Sequence, residues 1–221
     1  MDISKHSFSV LGLARSGLAT ANYLAVRGAN VMVSDRQTAD KLPLADLDPK
    51  VQVRLGQEFV REGDIVVISP GIKPTAPAHK LAHDRGAEVV SDIELFYRLA
   101  PCPVLAVTGT DGKSTTTALL GELIASTGLN TFVGGNIGIA CMAGLDKLDP
   151  RSMAVLEVSC FQLNHCTTFK PKVAVITNIA EDHIDYHGSF EEYVNAKRRI
   201  LQAMGPGDTV VINADDKHLA A

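Results

Sequence analysis

The sequence has no apolar run approaching the roughly 18 residues that a membrane-spanning helix needs. Its opening, MDISKHSFSV, lacks a basic stretch followed by an apolar core, so neither export nor membrane insertion is expected, and a cytoplasmic location is. A basic surplus is absent too: 21 Lys and Arg stand against 25 Asp and Glu, a formal net charge of -4. No broad positive surface is then available to neutralise a phosphate backbone, and a nucleic-acid partner is not expected. Cysteine is sparse. Cys102, Cys141, Cys160 and Cys166 form no CxxC pair, which argues for reduced thiols filling the core and against a disulfide framework or a zinc site. Internal repeats and low-complexity segments are also missing.

What is present is an ordinary globular composition, 46% hydrophobic and 21% charged over 221 residues, enough for one large or two small cores. Apolar runs alternate with helical patterns. SFSVLGL, LATANYLAVRG, NVMVSD, DIVVISPGI, a helical stretch over residues 79–85 and AEVVSD follow one another, an order that implies a parallel sheet covered by helices. A helical pattern beginning at Ile93 stops at Ala100-Pro101-Cys102-Pro103, where prolines remove donors and force the preceding residues extended. A domain junction is expected between Val90 and Pro103, giving domains 1–93 and 94–221. Beyond it PVLAVTGT, a helix over residues 113–126, NTFVGG, MAVLEVS, VAVITN and TVVINAD repeat the alternation. These runs suit strands buried on both faces. The fold expected is α/β: a Rossmann-like amino-terminal domain, then a P-loop-type ATP-binding domain. The chain ends at Ala221, just after a strand and an Asn-Ala-Asp-Asp turn, which reads as a cut.

Three segments carry chemistry. The first, Gly12-Leu13-Ala14-Arg15-Ser16-Gly17, follows the first strand and opens a helix, where backbone N–H groups and the helix dipole hold a diphosphate. Asp35 closes the second strand, where a dinucleotide enzyme places an acid on the ribose. Ala14 replaces the middle glycine of the dinucleotide pattern, so NAD binding and a simple tight turn with close helix packing both stay open. Ser69-Pro70-Gly71-Ile72 ends a later strand at the same carboxyl edge, and alone it also reads as an ordinary turn.

The second segment spans residues 107–116: Val107, Thr108, Gly109, Thr110, Asp111, Gly112, Lys113, Ser114, Thr115 and Thr116. It joins an apolar strand to a helix, so its amides and the Lys113 ammonium can surround a triphosphate while Ser114 reaches Mg2+. A lysine at a helix start is unfavourable without an anion. The spacing is shorter than a standard Walker A loop.

The third segment group centres on Glu157, inside the apolar run MAVLEVS, where an unpaired carboxylate would be costly and a cation or hydrogen-bond partner is required. Mg2+ suits such an oxygen donor, and a salt-bridged core glutamate is the alternative. Thr177-Asn178-Ile179-Ala180-Glu181-Asp182-His183-Ile184-Asp185 follows the next strand, which makes His183 a candidate ligand. Ser189 with Glu192 reads as a capping box. Lys197, two turns on, is by itself simply a helix lysine.

Together SVLGLARSGLA with Asp35, SPGI, SDIELF, TGTDGKSTTT, GGNIG, LEVSCFQL, TNIAEDHIDYHGSFEEYVNAKRRI and INADD resemble the Mur ligase family along essentially the whole chain, nearest its D-glutamate-adding members. The resemblance implies ATP-dependent ligation of D-glutamate to UDP-N-acetylmuramoyl-L-alanine through an acyl phosphate, in peptidoglycan synthesis, by a monomeric protein. It implies that Ser16, Asp35, Arg36 and Gly71 hold the uridine diphosphate and that Asn136 contacts the substrate across the domain cleft. ATP would lie on residues 109–116, with Lys113, His183 and Lys197 catalytic. Glu157, His183 and Ser114 would hold magnesium, joined by Lys197 if carbamylated. Cys160 departs from the family pattern, which usually has a second serine there. Family members carry a third, carboxy-terminal domain, so the chain is expected to be a fragment with little or no ligase activity. The rival readings are a Mur ligase adding another amino acid, an NAD-dependent oxidoreductase and a non-catalytic UDP-sugar-binding module.

Overall fold

The computed structural model describes residues 1–220; the expected cut at Ala221 lies outside them. The chain divides into two compact units, Met1–Leu95 and Phe96–Ala221. The division falls within a helix.

The first unit is a five-stranded parallel sheet in the order β3-β2-β1-β4-β5. Its strands are β1 (Ser7–Leu11), β2 (Asn30–Asp35), β3 (Gln52–Leu55), β4 (Ile65–Ile68) and β5 (Glu88–Val90). Helices α1 (Arg15–Val26) and α2 (Pro77–Asp84) connect them, and α3 (Asp92–Leu99) follows β5. Proline at the first position of α2 lacks only a donor that the helix start would leave unused. Phe8, Val10, Leu11, Val33, Val66 and Ile68 are buried, each stabilising by about 1.5–3 kcal/mol relative to exposure. The sequence pattern did not announce β3. Its residues Gln52, Val53 and Arg54 are exposed, so the segment carries no apolar rhythm.

The second unit is also a five-stranded parallel sheet, ordered β10-β9-β6-β8-β7. It contains β6 (Val104–Thr108), β7 (Thr131–Gly135), β8 (Met153–Glu157), β9 (Val173–Ile176) and β10 (Thr209–Ile212). Its helices are α4 (Lys113–Ala125), α5 (Cys160–Leu163), α6 (Ile184–His187) and α7 (Phe190–Arg198). Central β6 is buried throughout. Burial on both faces fails for β10: Val210, Val211 and Ile212 are 45%, 46% and 43% exposed. Among the described residues the strand pairs only with β9 and its faces stay open, so β-branched composition made a strand there without burying it.

Capping also differs from the sequence reading. Ser189 accepts from the Glu192 amide, one half of the expected box. The complete reciprocal box stands at Ser159 and Gln162, starting α5, which the sequence reading did not single out. All four cysteines are buried, and none forms a disulfide among the described residues. Among the described residues, no helix is long and apolar enough to cross a membrane.

Candidate functional site

In both sheets the chain reverses direction of progress beside the first strand of the unit, so the loops after β1 and β4, and after β6, β8 and β9, leave at crevices where open α/β sheets bind ligands.

In the first unit a cavity of about 450 Å³ opens there, lined by Gly12, Ser34, Asp35, Arg36, Gln37, Glu58 and residues of the segment 71–76. Gly12 has φ +90, and a Cβ on it would lie 2.6 Å from the Ser69 hydroxyl oxygen. Only glycine lets the two loops approach so closely. Asp35 closes the turn from below: its carboxylate accepts from the Leu13 amide at 2.7 Å and the Gln37 amide at 2.8 Å. Arg36 pairs with Glu58 at 2.9 Å. Asp35, Arg36 and Gly71 therefore share one cavity. Ser16 stands in the first turn of α1, and is not among the residues lining it. A Cβ on Gly17 would lie 1.9 Å from the Gly12 carbonyl oxygen, so close packing of α1 against the turn is itself part of that glycine's role.

The phosphate-loop candidate in the second unit is held from beneath by the β9 loop. Asp111 N donates to Asn178 Oδ1 at 2.9 Å, Asn178 Nδ2 returns a bond to the Asp111 carbonyl at 3.0 Å, and the Thr177 hydroxyl donates to the same carbonyl at 2.6 Å. A Cβ on Gly109, at φ +144, would lie 1.9 Å from Thr177 Oγ1. The Lys113 ammonium folds back to the Thr110 carbonyl at 2.6 Å, so an arriving phosphate would compete with the loop's own oxygen. Asp216 supports the arrangement by accepting from Ile179 N at 2.7 Å.

Glu157 is 1% exposed. The Ser114 hydroxyl donates to one of its oxygens at 2.6 Å, and Asn136 Nδ2 to the other at 2.8 Å. Three predicted residues thus meet at one carboxylate. Hard oxygen donors of this kind fit Mg2+, whose one or two protein ligands are usually completed by water and phosphate.

Lys197, 2% exposed, donates to the Gly109 carbonyl at 2.6 Å. Burial lowers its pKa to about 8, with the Cys160 thiol acting in the opposite direction. Its ammonium lies 4.7 Å from the Tyr193 ring centre. Tyr193, whose phenol burial pushes up to about 12, bonds Thr110 Oγ1 at 2.8 Å. His183 is placed elsewhere in this edge: it is a non-glycine residue at φ 52, 3.3 Å from Asp182 Oδ2 and stacked obliquely on Phe161. Among the described residues, no three His, Cys, Asp or Glu side chains converge as a metal cluster.

Thr110, Thr177, Asn178, Tyr193 and Asp216 carry the loop's geometry, yet of these only Thr110 was singled out as a site residue. The spacing TN after an apolar run was a signal for Asn178; nothing local marked Tyr193 or Asp216, which act over long sequence separations.

Family comparison agrees with this two-unit layout. The Mur ligase MurD-like amino-terminal domain matches residues 6–91 and the Mur ligase middle domain matches residues 107–221. The chain is 38% identical to the UDP-N-acetylmuramoylalanine--D-glutamate ligase of Pelobacter propionicus over 98% of its own length, and 40% identical to that of Geobacter metallireducens over 100%. It spans about half the length of these curated relatives, 50% of each. Among solved structures, the UDP-N-acetylmuramate-alanine ligase of Thermotoga maritima superposes with TM-score 0.58 at 22% identity, covering 96% of this chain and 50% of that one. The UDP-N-acetylmuramate:L-alanyl-gamma-D-glutamyl-meso-diaminopimelate ligase of Neisseria meningitides gives 0.60 at 16%, covering 97% and 73%. The structural likenesses carry the fold, and the sequence matches over both units carry the lineage: this chain belongs to the Mur ligase family.

Proposed function

We propose that this chain is the UDP-substrate-binding and ATP-binding part of a cytoplasmic UDP-N-acetylmuramoyl-L-alanine:D-glutamate ligase, joining D-glutamate to the muramoyl-alanine carboxylate in peptidoglycan synthesis. The observation that carries the reading is the edge of the second sheet, where Lys113, the Ser114–Glu157–Asn136 group and buried Lys197 all reach the loop after β6. The relatives at 38% and 40% identity are named as D-glutamate ligases, which favours that amino acid over others used in the family.

In this reading the first cavity takes the uridine diphosphate, with Asp35, Arg36 and Gly71 at its wall and Ser16 in the adjoining helix turn. Residues 109–116 take the triphosphate of ATP. Lys113 exchanges the Thr110 carbonyl for phosphate oxygens and offsets charge during transfer to the L-alanyl carboxylate. The amine of D-glutamate then attacks the acyl phosphate, forming the amide and releasing phosphate. Mg2+, when bound, supplies further neutralisation of the phosphates, and Glu157, Ser114, His183 and carbamylated Lys197 are the residues that would hold it. Asn136 and Ser114 keep the Glu157 carboxylate aimed at the loop. Carbamylation of Lys197 joins its neutral amine to CO2 with loss of a proton, converting a cation into an anionic ligand; desolvation favours the neutral amine that this requires.

Because the chain spans half the length of its relatives, binding tests the reading more directly than turnover. Calorimetry should show UDP-N-acetylmuramoyl-L-alanine and ATP binding independently, with NAD silent. Saturable NAD binding in place of the muramoyl nucleotide would overturn the assignment, and muramoyl-nucleotide binding without ATP binding would favour a non-catalytic UDP-sugar module.

A further inference from the structure

His79 lies in the first turns of α2, outside the set of residues lining the first cavity. Its imidazole is hydrogen-bonded to the backbone at Ile72 and Lys73. These bonds favour the protonated ring, so a ring N–H is the donor and the two carbonyls are the acceptors. Nε2 is buried and takes no part in them, which leaves Nδ1 as the donor. The bonded segment is the cavity wall itself: Gly71, Ile72, Lys73, Thr75 and Ala76 all line it. Gly71, Lys73, Pro74 and Thr75 are exposed, and the segment closes on itself by two turn bonds, Ile72 N to the Ser69 carbonyl and Ala76 N to the Lys73 carbonyl. Ile72 also packs against the core around Leu11 and Ile68, so pinning its carbonyl sets the height of the wall over the sheet edge.

We infer that His79 is a positioning residue for nucleotide binding: its Nδ1–H ties the 71–76 wall to α2 and holds the cavity in its open, ligand-sized shape. The role rests on the assignment of this cavity to the uridine diphosphate. Burial, the larger influence, pushes the imidazole below its ordinary range, while the bonds to Ile72 and Lys73 and the carboxylate of Glu58 act the other way. The ring therefore works as a neutral donor near pH 7.

Two variants separate the donor from the bulk of the ring. His79→Asn places an amide N–H where Nδ1 stands, and His79→Phe keeps a flat ring without a donor. Amide hydrogen exchange of residues 70–76 and calorimetric titration with uridine 5′-diphosphate are read on wild type and both variants, with ADP titration as the check that the second unit is unchanged. In His79→Phe the segment should lose protection and the uridine 5′-diphosphate affinity should fall about five- to tenfold, the effect of one lost buried bond. His79→Asn should restore most of both, and ADP affinity should stay constant. Equal exchange and equal affinity in wild type and His79→Phe would overturn the positioning role alone. Wild type with a protected segment and no uridine 5′-diphosphate binding would instead overturn the cavity assignment, and the positioning role with it.

Discussion

The Lys197 ammonium donates to the Gly109 carbonyl at 2.6 Å, across 88 positions of sequence. A buried lysine is thereby fastened to the glycine loop after β6 at the residue whose missing side chain leaves room for Thr177. With its pKa lowered to about 8, roughly a tenth of the amine is neutral at pH 7. In 13C-labelled bicarbonate, the wild-type chain should give a carbamate carbon resonance that Lys197→Arg lacks. A resonance that persists in the variant would place the modification elsewhere.

Glu157 should matter more to function than to stability. Glu157→Gln keeps the shape and an acceptor for Ser114 but faces Asn136 with a donor, so the lost bond and the removed buried charge should offset and unfolding stability should change by under about 1 kcal/mol. The Mg2+-dependent gain in ATP affinity should fall about tenfold or more, as expected for loss of a charged ligand. Urea denaturation together with titrations with and without Mg2+ checks both halves. A strong loss of stability with an unchanged Mg2+ effect would make Glu157 a structural glutamate.

Two ion pairs of the first unit should differ sharply in worth. Arg61 donates to Asp64, to the Phe8 carbonyl and to Asn30, while Asp64, 2% exposed in its side chain, also accepts from Ser9. Arg61→Ala leaves that carboxylate buried without its cation and should cost about 3–5 kcal/mol. Arg36, 58% exposed, should cost under about 1 kcal/mol when replaced by alanine. Denaturation midpoints of the two variants give the comparison directly, and similar midpoints would refute it.

The pH dependence of stability should carry a contribution from His79. Its folded pKa lies below the ordinary 6.5, chiefly through burial. As pH falls through that value the unfolded chain takes up the proton first, so stability is lost from about pH 6.5 downward and is unaffected above it. Melting curves between pH 5 and pH 7.5 should show a shallower decline for His79→Asn than for wild type. Parallel curves would assign the acid sensitivity to other groups.

Much of this molecule was readable in one dimension. Parallel strands buried by helices give near-continuous apolar runs, so β1, β2, β4 and β6 to β9 were visible in SFSVL, NVMVSD, IVVI and their counterparts. β3 was not, because QVRL on an edge carries no apolar rhythm. The loop 109–116 was equally plain, since strand, glycine and lysine at a helix start are local features.

The runs and the glycine turns thus settled, through local backbone preference and apolar periodicity, that two α/β units would form with glycine turns between strand ends and helix starts. Which side chains meet was a matter for the folded sheets. Ser114 and Asn136 share the Glu157 carboxylate and Tyr193 reaches Thr110 only because parallel crossovers carry distant segments to one edge. The exposure of Val210 to Ile212 followed the same logic, for composition selects a strand, whereas what packs over its faces decides whether that strand is buried, as the two edge strands β7 and β10 show.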